Sequence, residues 1–218
     1  ASGMLLYGLS LLYGATGSLE LTAVSEHLVA TDKVAIFGMV FVVTGLLFKL
    51  GAVPFHMWVP DVYHGAPSTV TAFITGAPKI AALAIMYRLL VQGMPSLMDS
   101  WQQLLIVVAI LSMFFGNLLA IAQANVKRMF AYSSIAHMGY MLLGVIAATP
   151  EGYAAALLYG IVYAVMAVGG FAVISMLSKV GFEAEYLDDF RGLNARHPWL
   201  AFILLLCLFS MAGVPPVF

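Results

Sequence analysis

Three proton-exchanging side chains sit inside apolar runs of this chain. Lys49 lies in LLFKLGAVPFHMWVPD (46–61), Lys79 in TAFITGAPKIAALAI (71–85) and His137 in YSSIAHMGYMLLG (132–144). A lysine placed in hydrocarbon costs at least ~3 kcal/mol, and an ionisable group kept there is by default functional. Thr71, Thr75 and Lys79 are spaced i, i+4, i+8, which aligns them on one helix face. Ser133, His137 and Tyr140 repeat the pattern at i, i+4, i+7, with Ser134 adjacent. Lysine and histidine bind and release protons, and hydroxyl groups can order the water between them. Pairing to a carboxylate favours the charged form of a lysine, while burial disfavours it. A movable counter-charge would therefore switch proton affinity. The chemistry suggested is proton relay, with Lys49, Lys79 and His137 as carriers and Thr75 and Ser134 in support. Two plainer readings stand beside it. Lys49 could snorkel to a nearby interface, and the hydroxyls could only bridge helices.

Helix-breaking residues accompany the cations. Pro54 lacks an N–H and clashes with the carbonyl of residue 50, and Gly51 eases an opening at that point. A broken helix at membrane depth implies a protein-lined or hydrated surrounding. Pro78 directly precedes Lys79 and predicts a similar disturbance there. A second broken segment is expected in 212-AGVPPVF-218, at Pro215 and Pro216. It falls five spans after the first, so the two breaks run in opposite directions, a mark of inverted repeats.

The elements that must position these groups follow from composition. Of 218 residues, 63% are hydrophobic and 9% are charged, far from the ~25% charged residues of a soluble domain. Apolar stretches of about 20 residues cross a bilayer as helices. Complete spans are expected at 34–58, 67–91, 102–122, 128–148 and 153–179, with partial ones at 1–16 and 199–218. The fold class is all-α, a polytopic transmembrane bundle with Pro-broken helices. At ~1.5 Å per residue, Lys79 and His137 reach a similar mid-membrane depth. Lys127, Arg128, Lys179, Arg191 and Arg196 fall on one side, against Lys33 and Arg88 on the other, which places the 123–127 and 179–197 loops in the cytoplasm. His56 and His64 fall at or past the end of their span and carry less weight. Asn117 reads as packing glue.

Other classes are disfavoured. Cys207 is the one cysteine, so no iron–sulfur cluster is held. No G-x-G-x-x-G follows a strand pattern. The formal charge of −1 argues against nucleic acid. The opening ASGMLLYGLSLLYG has no charged n-region and is not a signal peptide. Both ends read as cuts in a longer subunit.

The run KLGAVPFHMWVPDVYHGAP (49–67) followed by Lys79, and QANVKRMFAYSSIAHMGYMLLG (123–144), resemble the antiporter-like membrane subunits of respiratory complex I, NADH:quinone oxidoreductase. The resemblance covers the whole chain. It implies two inverted repeats, with 1–92 in the later part of the first and 93–218 in a second truncated at its broken helix. It assigns conduction to Lys49 and Lys79 and a relay position to His137. It also implies a glutamate on an earlier helix, paired with the first lysine, and a further ionisable group on the second broken helix; both are expected outside this chain. It implies no cofactor here, with NADH, FMN, iron–sulfur clusters and quinone in partner subunits. Other membrane-arm subunits and the lipid bilayer are the expected partners, in a bacterial inner membrane. Two rivals share these residues: a subunit of a stand-alone Na⁺/H⁺ antiporter, and a scaffold that conducts nothing.

Overall fold

The computed structural model describes residues 1–179 and 182–214. Helix α1 (Ser2–Thr16) and the short α2 (Leu21–His27) lead into α3 (Lys33–Leu50). After a break come α4 (Trp58–Gly65) and α5 (Ser68–Met86), which passes into a π-turn at Tyr87–Gln92. Then follow α6 (Met98–Ile121), α7 (Val126–Ile146), α8 (Pro150–Leu177), a short α9 (Leu193–Arg196) and α10 (Pro198–Met211). Among the described residues there is no strand, only isolated bridges such as Asn125 with Tyr186. Among the described residues five helical segments are long and apolar enough to cross a membrane: Lys33–Leu50, Ser68–Gln92, Pro95–Ile121, Val126–Ile146 and Pro150–Leu177.

Side chains that accept orphan amides start three of these spans. Asp32 accepts from Val34 N at 2.8 Å, Asn125 from Arg128 N at 3.0 Å, and Thr149 from Gly152 N at 3.1 Å with Pro150 at the first helical position. The bundle then pairs α1 with α3, α5 with α8, and α6 with α7, while α7 also lies against α8 and α4.

Lipid tails are as apolar as the side chains, so close packing rather than water drives these pairings. The α6–α7 crossing depends on Gly116. A Cβ there would stand 2.5 Å from the Ala136 nitrogen and 2.9 Å from its Cα, and backbone cannot retreat as a side chain can. We expect Gly116→Leu to cost about 3 kcal/mol, the upper end for an overpacked site. The thermal unfolding midpoint of the purified protein measures this, and an unchanged midpoint would show that the helices do not cross this closely.

The span expected over 34–58 carries the break expected at Gly51 and Pro54, so helix α3 does not reach residue 58. It ends at Leu50, because Gly51 adopts the left-handed conformation (φ 76°) and caps it. Pro54 lies beyond that end and only prevents resumption. In contrast, α5 runs without interruption through Pro78. One missing N–H frees one carbonyl, and packing of α5 against α8 and α3 holds the remaining turns.

Candidate functional site

The break after α3 is sealed by protein groups. The Gly51 N–H donates to Leu47 O at 2.9 Å, and the Trp58 indole N–H donates to Phe48 O at 2.9 Å. The Val53 N–H donates to the Ser112 hydroxyl at 2.9 Å, tying the break to α6. The Trp58 ring stacks on Phe48 with centroids 5.7 Å apart. Protein groups thus meet part of the break, while His56 Nδ1 within it is buried without a partner among the described residues.

Lys79 is the buried cation of the site, 3% exposed. It sits below Thr71 and Thr75 on one face of α5, and all three are buried. Its ammonium donates to the Ser134 hydroxyl of α7. The same nitrogen lies 5.6 Å from the Tyr63 ring centroid and 5.5 Å from that of Tyr163, within cation–π range. Among the described residues no carboxylate forms an ion pair with it. Its positive charge is met by a hydroxyl and two aromatic faces.

His137 stands one turn beyond Ser134 on α7. Its Nδ1 is 2.7 Å from the Tyr159 hydroxyl, and its ring centroid is 5.0 Å from that of Tyr163. Tyr163 thus lies between the ammonium and the imidazole. His137 borders a cavity of about 590 Å³ shared with Ser133, Asn117 and Tyr140, and a smaller one of about 150 Å³ reaching Ser210. Asn117 donates to the Tyr140 hydroxyl at 3.0 Å, which links α6 to α7.

Lys49 is placed differently. It is exposed on this chain, at an open pocket of about 380 Å³ with Phe48, Trp58, Pro78, Ala81 and Ile85. Those α5 residues belong to a different face of the helix from Lys79. The structure therefore brings Lys79, Ser134 and His137 together and sets Lys49 across α5 from them. Pro215 and Pro216 lie outside the described residues.

The residue types around α7 give no hint of a second cluster, at its N-terminus. Lys127, expected in a loop, has a side chain only 1% exposed. Its ammonium donates to Ala66 O at 2.8 Å, Glu183 at 2.7 Å and Glu185 at 3.4 Å. Glu185 also accepts from Asn125 Nδ2 at 3.1 Å and lies 3.2 Å from His64 Nε2. This clamp ties the loop before α9 to the α4–α5 junction, where the Thr71–Lys79 face begins. The Arg128–Asp61 pair beside it, at 2.8 Å, is mostly exposed and adds little. The Lys127 hydrogen bond holds the Glu183 carboxyl below the usual carboxylate range. A depressed carboxyl stabilises the fold above its unfolded pKa and loses that contribution as pH falls through the folded value. We expect cleavage of the 182–187 loop by an acid-active protease to rise as pH falls below about 4. Cleavage independent of pH would contradict the clamp.

Sequence reasoning missed Tyr63, Tyr159 and Tyr163. A signal existed for two of them: Tyr159 and Tyr163 stand at i, i+4 on an otherwise apolar, small-residue helix. The glutamates gave none, since they meet Lys127 across 56 and 58 residues of chain.

A bundle of several apolar helices with a broken helix and a buried lysine beside a histidine is the architecture of a polytopic membrane protein. All 218 residues match the family described as NADH:quinone oxidoreductase/Mrp antiporter, TM, and the chain belongs to that family. It is similar to NADH-quinone oxidoreductase subunit N of Thioalkalivibrio sulfidiphilus, 61% identical over 99% of this chain and 46% of the relative. Among solved structures it resembles a chain of respiratory complex I from Thermus thermophilus with bound aureothin. That likeness has a TM-score of 0.82 and 34% identity, over 98% of this chain and 45% of that one. It also resembles a chain of the Mrp complex from Dietzia, with a TM-score of 0.88 and 27% identity, over 99% of this chain and 40% of that one. The chain thus spans under half the length of the relatives it matches.

Proposed function

We propose that this chain is the proton-conducting portion of a membrane-arm subunit of NADH:quinone oxidoreductase, of the subunit N kind, in a bacterial inner membrane. The observation that carries the reading is Lys79, buried at mid-span with a hydroxyl and two tyrosine rings and joined through Ser134 and Tyr163 to His137. A structural lysine at this depth would be expected to hold a carboxylate. Here the neighbours are groups that pass protons or solvate them.

Three buried oxygens support a hydrated route from the Lys127 clamp toward Lys79. Ser68 Oγ, Tyr63 Oη and Thr75 Oγ1 have no hydrogen-bond partner among the described residues. Leaving them dry would cost roughly 1–3 kcal/mol each, and ordered water relieves that cost. Ser68, Thr71, Thr75 and Lys79 follow one another down α5. In this reading Lys79 takes a proton through that water and passes it toward His137 and Tyr159. Lys49 supplies the charge whose balance sets when Lys79 lets go. The driving reaction, quinone reduction by NADH, belongs to partner subunits with their own cofactors.

The similarity to an Mrp complex chain keeps one rival in view, a sodium–proton exchanger. Proteoliposomes carrying the intact complex separate the two. NADH and quinone should acidify one compartment without sodium. Acidification that follows a sodium gradient and ignores NADH would overturn the reading.

A further inference from the structure

At the end of the bundle away from the Lys127 clamp, a groove of about 490 Å³ runs between α5 and α8. Its rim holds Arg88 and Gln92 on the π-turn that ends α5, and Tyr87 and Tyr153 meet edge-to-face there with centroids 5.1 Å apart. Its wall is aliphatic, with Leu83 and Leu157 among the lining residues. From Gln92 to Leu83 is nine positions, ~13 Å along a helix. Over that length the lining changes from cation and amide, through phenol rings, to hydrocarbon.

Arg88 has no task within the described residues. Its side chain is exposed and makes no hydrogen bond or ion pair with another described residue. A guanidinium at a membrane boundary turns toward the headgroup layer, where it pairs with phosphate through two parallel N–H donors. Tyrosines gather at the same level, ring toward hydrocarbon and hydroxyl toward water. The switch to π winding at Tyr87 also fits a ligand site, since such turns concentrate where helices do something other than pack.

We propose that this groove binds one anionic phospholipid, its phosphodiester on Arg88 and Gln92 and one acyl chain along the Leu83–Leu157 wall. The charge at the rim selects an anion, and the aliphatic wall selects one that carries a chain. A soluble phosphate would use the first feature and leave the second unexplained. A protein helix would have to bring its own carboxylate to Arg88.

The test uses the intact complex in liposomes containing photoactivatable phosphatidylglycerol or photoactivatable phosphatidylcholine. Phosphatidylglycerol should label peptides covering 83–92 and 150–157 in preference to phosphatidylcholine. Arg88→Gln should reduce that labelling about five-fold, the weight of one basic side chain near anionic lipid, and Arg88→Lys should restore most of it. Labelling that is equal for the two lipids, or indifferent to Arg88→Gln, would overturn the proposal. So would a photocrosslinker at position 157 that captures a neighbouring subunit instead of lipid. None of these readouts depends on proton conduction, so the lipid site and the proposed function fail separately.

Discussion

Replacing Lys79 by alanine is expected to reduce proton translocation through this subunit by about a hundredfold, the low end for loss of a positioned proton-transfer group. The argument is geometric. Lys79 is buried, bonded to Ser134, and flanked by Tyr63 and Tyr163. Alanine removes the amine between the α5 hydroxyls and His137 and leaves the phenol rings of Tyr63 and Tyr163 there. Lys79→Arg sharpens the point. Arginine keeps the charge but does not release its proton in proteins, so a charge-only role would survive the change and a relay would not. We expect both variants to be inactive in proteoliposomes at normal assembly. An active arginine variant would reduce Lys79 to an electrostatic anchor, and an active alanine variant would remove it from the path.

The second large effect concerns stability. Lys127→Ala should destabilise the protein by about 2–3 kcal/mol. Breaking a buried ion pair costs roughly 3–5 kcal/mol because the partner charge stays behind. We take a lower figure because the Glu183 side chain is 35% exposed and that of Glu185 is 20% exposed. The loss has three parts: the Ala66 carbonyl loses a donor, two carboxylates lose their shared cation, and the 182–187 loop loses its tie to α7. A lower thermal midpoint and faster proteolysis of that loop should appear together. If both match the parent protein, the clamp contributes nothing. Lys127→Met, which keeps the aliphatic volume, should recover only a small part, since the missing element is charge.

The spans were legible because a bilayer makes long apolar runs unambiguous. The spans expected from 34, 128 and 153 begin one to three residues earlier, at Lys33, Val126 and Pro150, where Asp32, Asn125 and Thr149 cap them. The broken helix was legible as well, at Gly51 and Pro54, but not which of the two closes α3. Proline is the louder signal, yet Gly51 ends α3, because a left-handed residue closes a helix where proline only bars continuation. Pro78 does not end α5, which continues as one helix from Ser68 to Met86 across the lost hydrogen bond.

Sequence by itself determined the class of protein, the number of complete spans and how far along their helices Lys79 and His137 lie. Each of these depends on composition and on helical rise, which are local quantities. Tertiary structure alone decided which side chains meet. Helix rotation places Tyr163 between Lys79 and His137 and turns Lys49 to another face of α5. Chain return over more than fifty residues buries Lys127 between Glu183 and Glu185. A periodic pattern fixes how far along a helix a group lies; its neighbours depend on how the other helices pack around it.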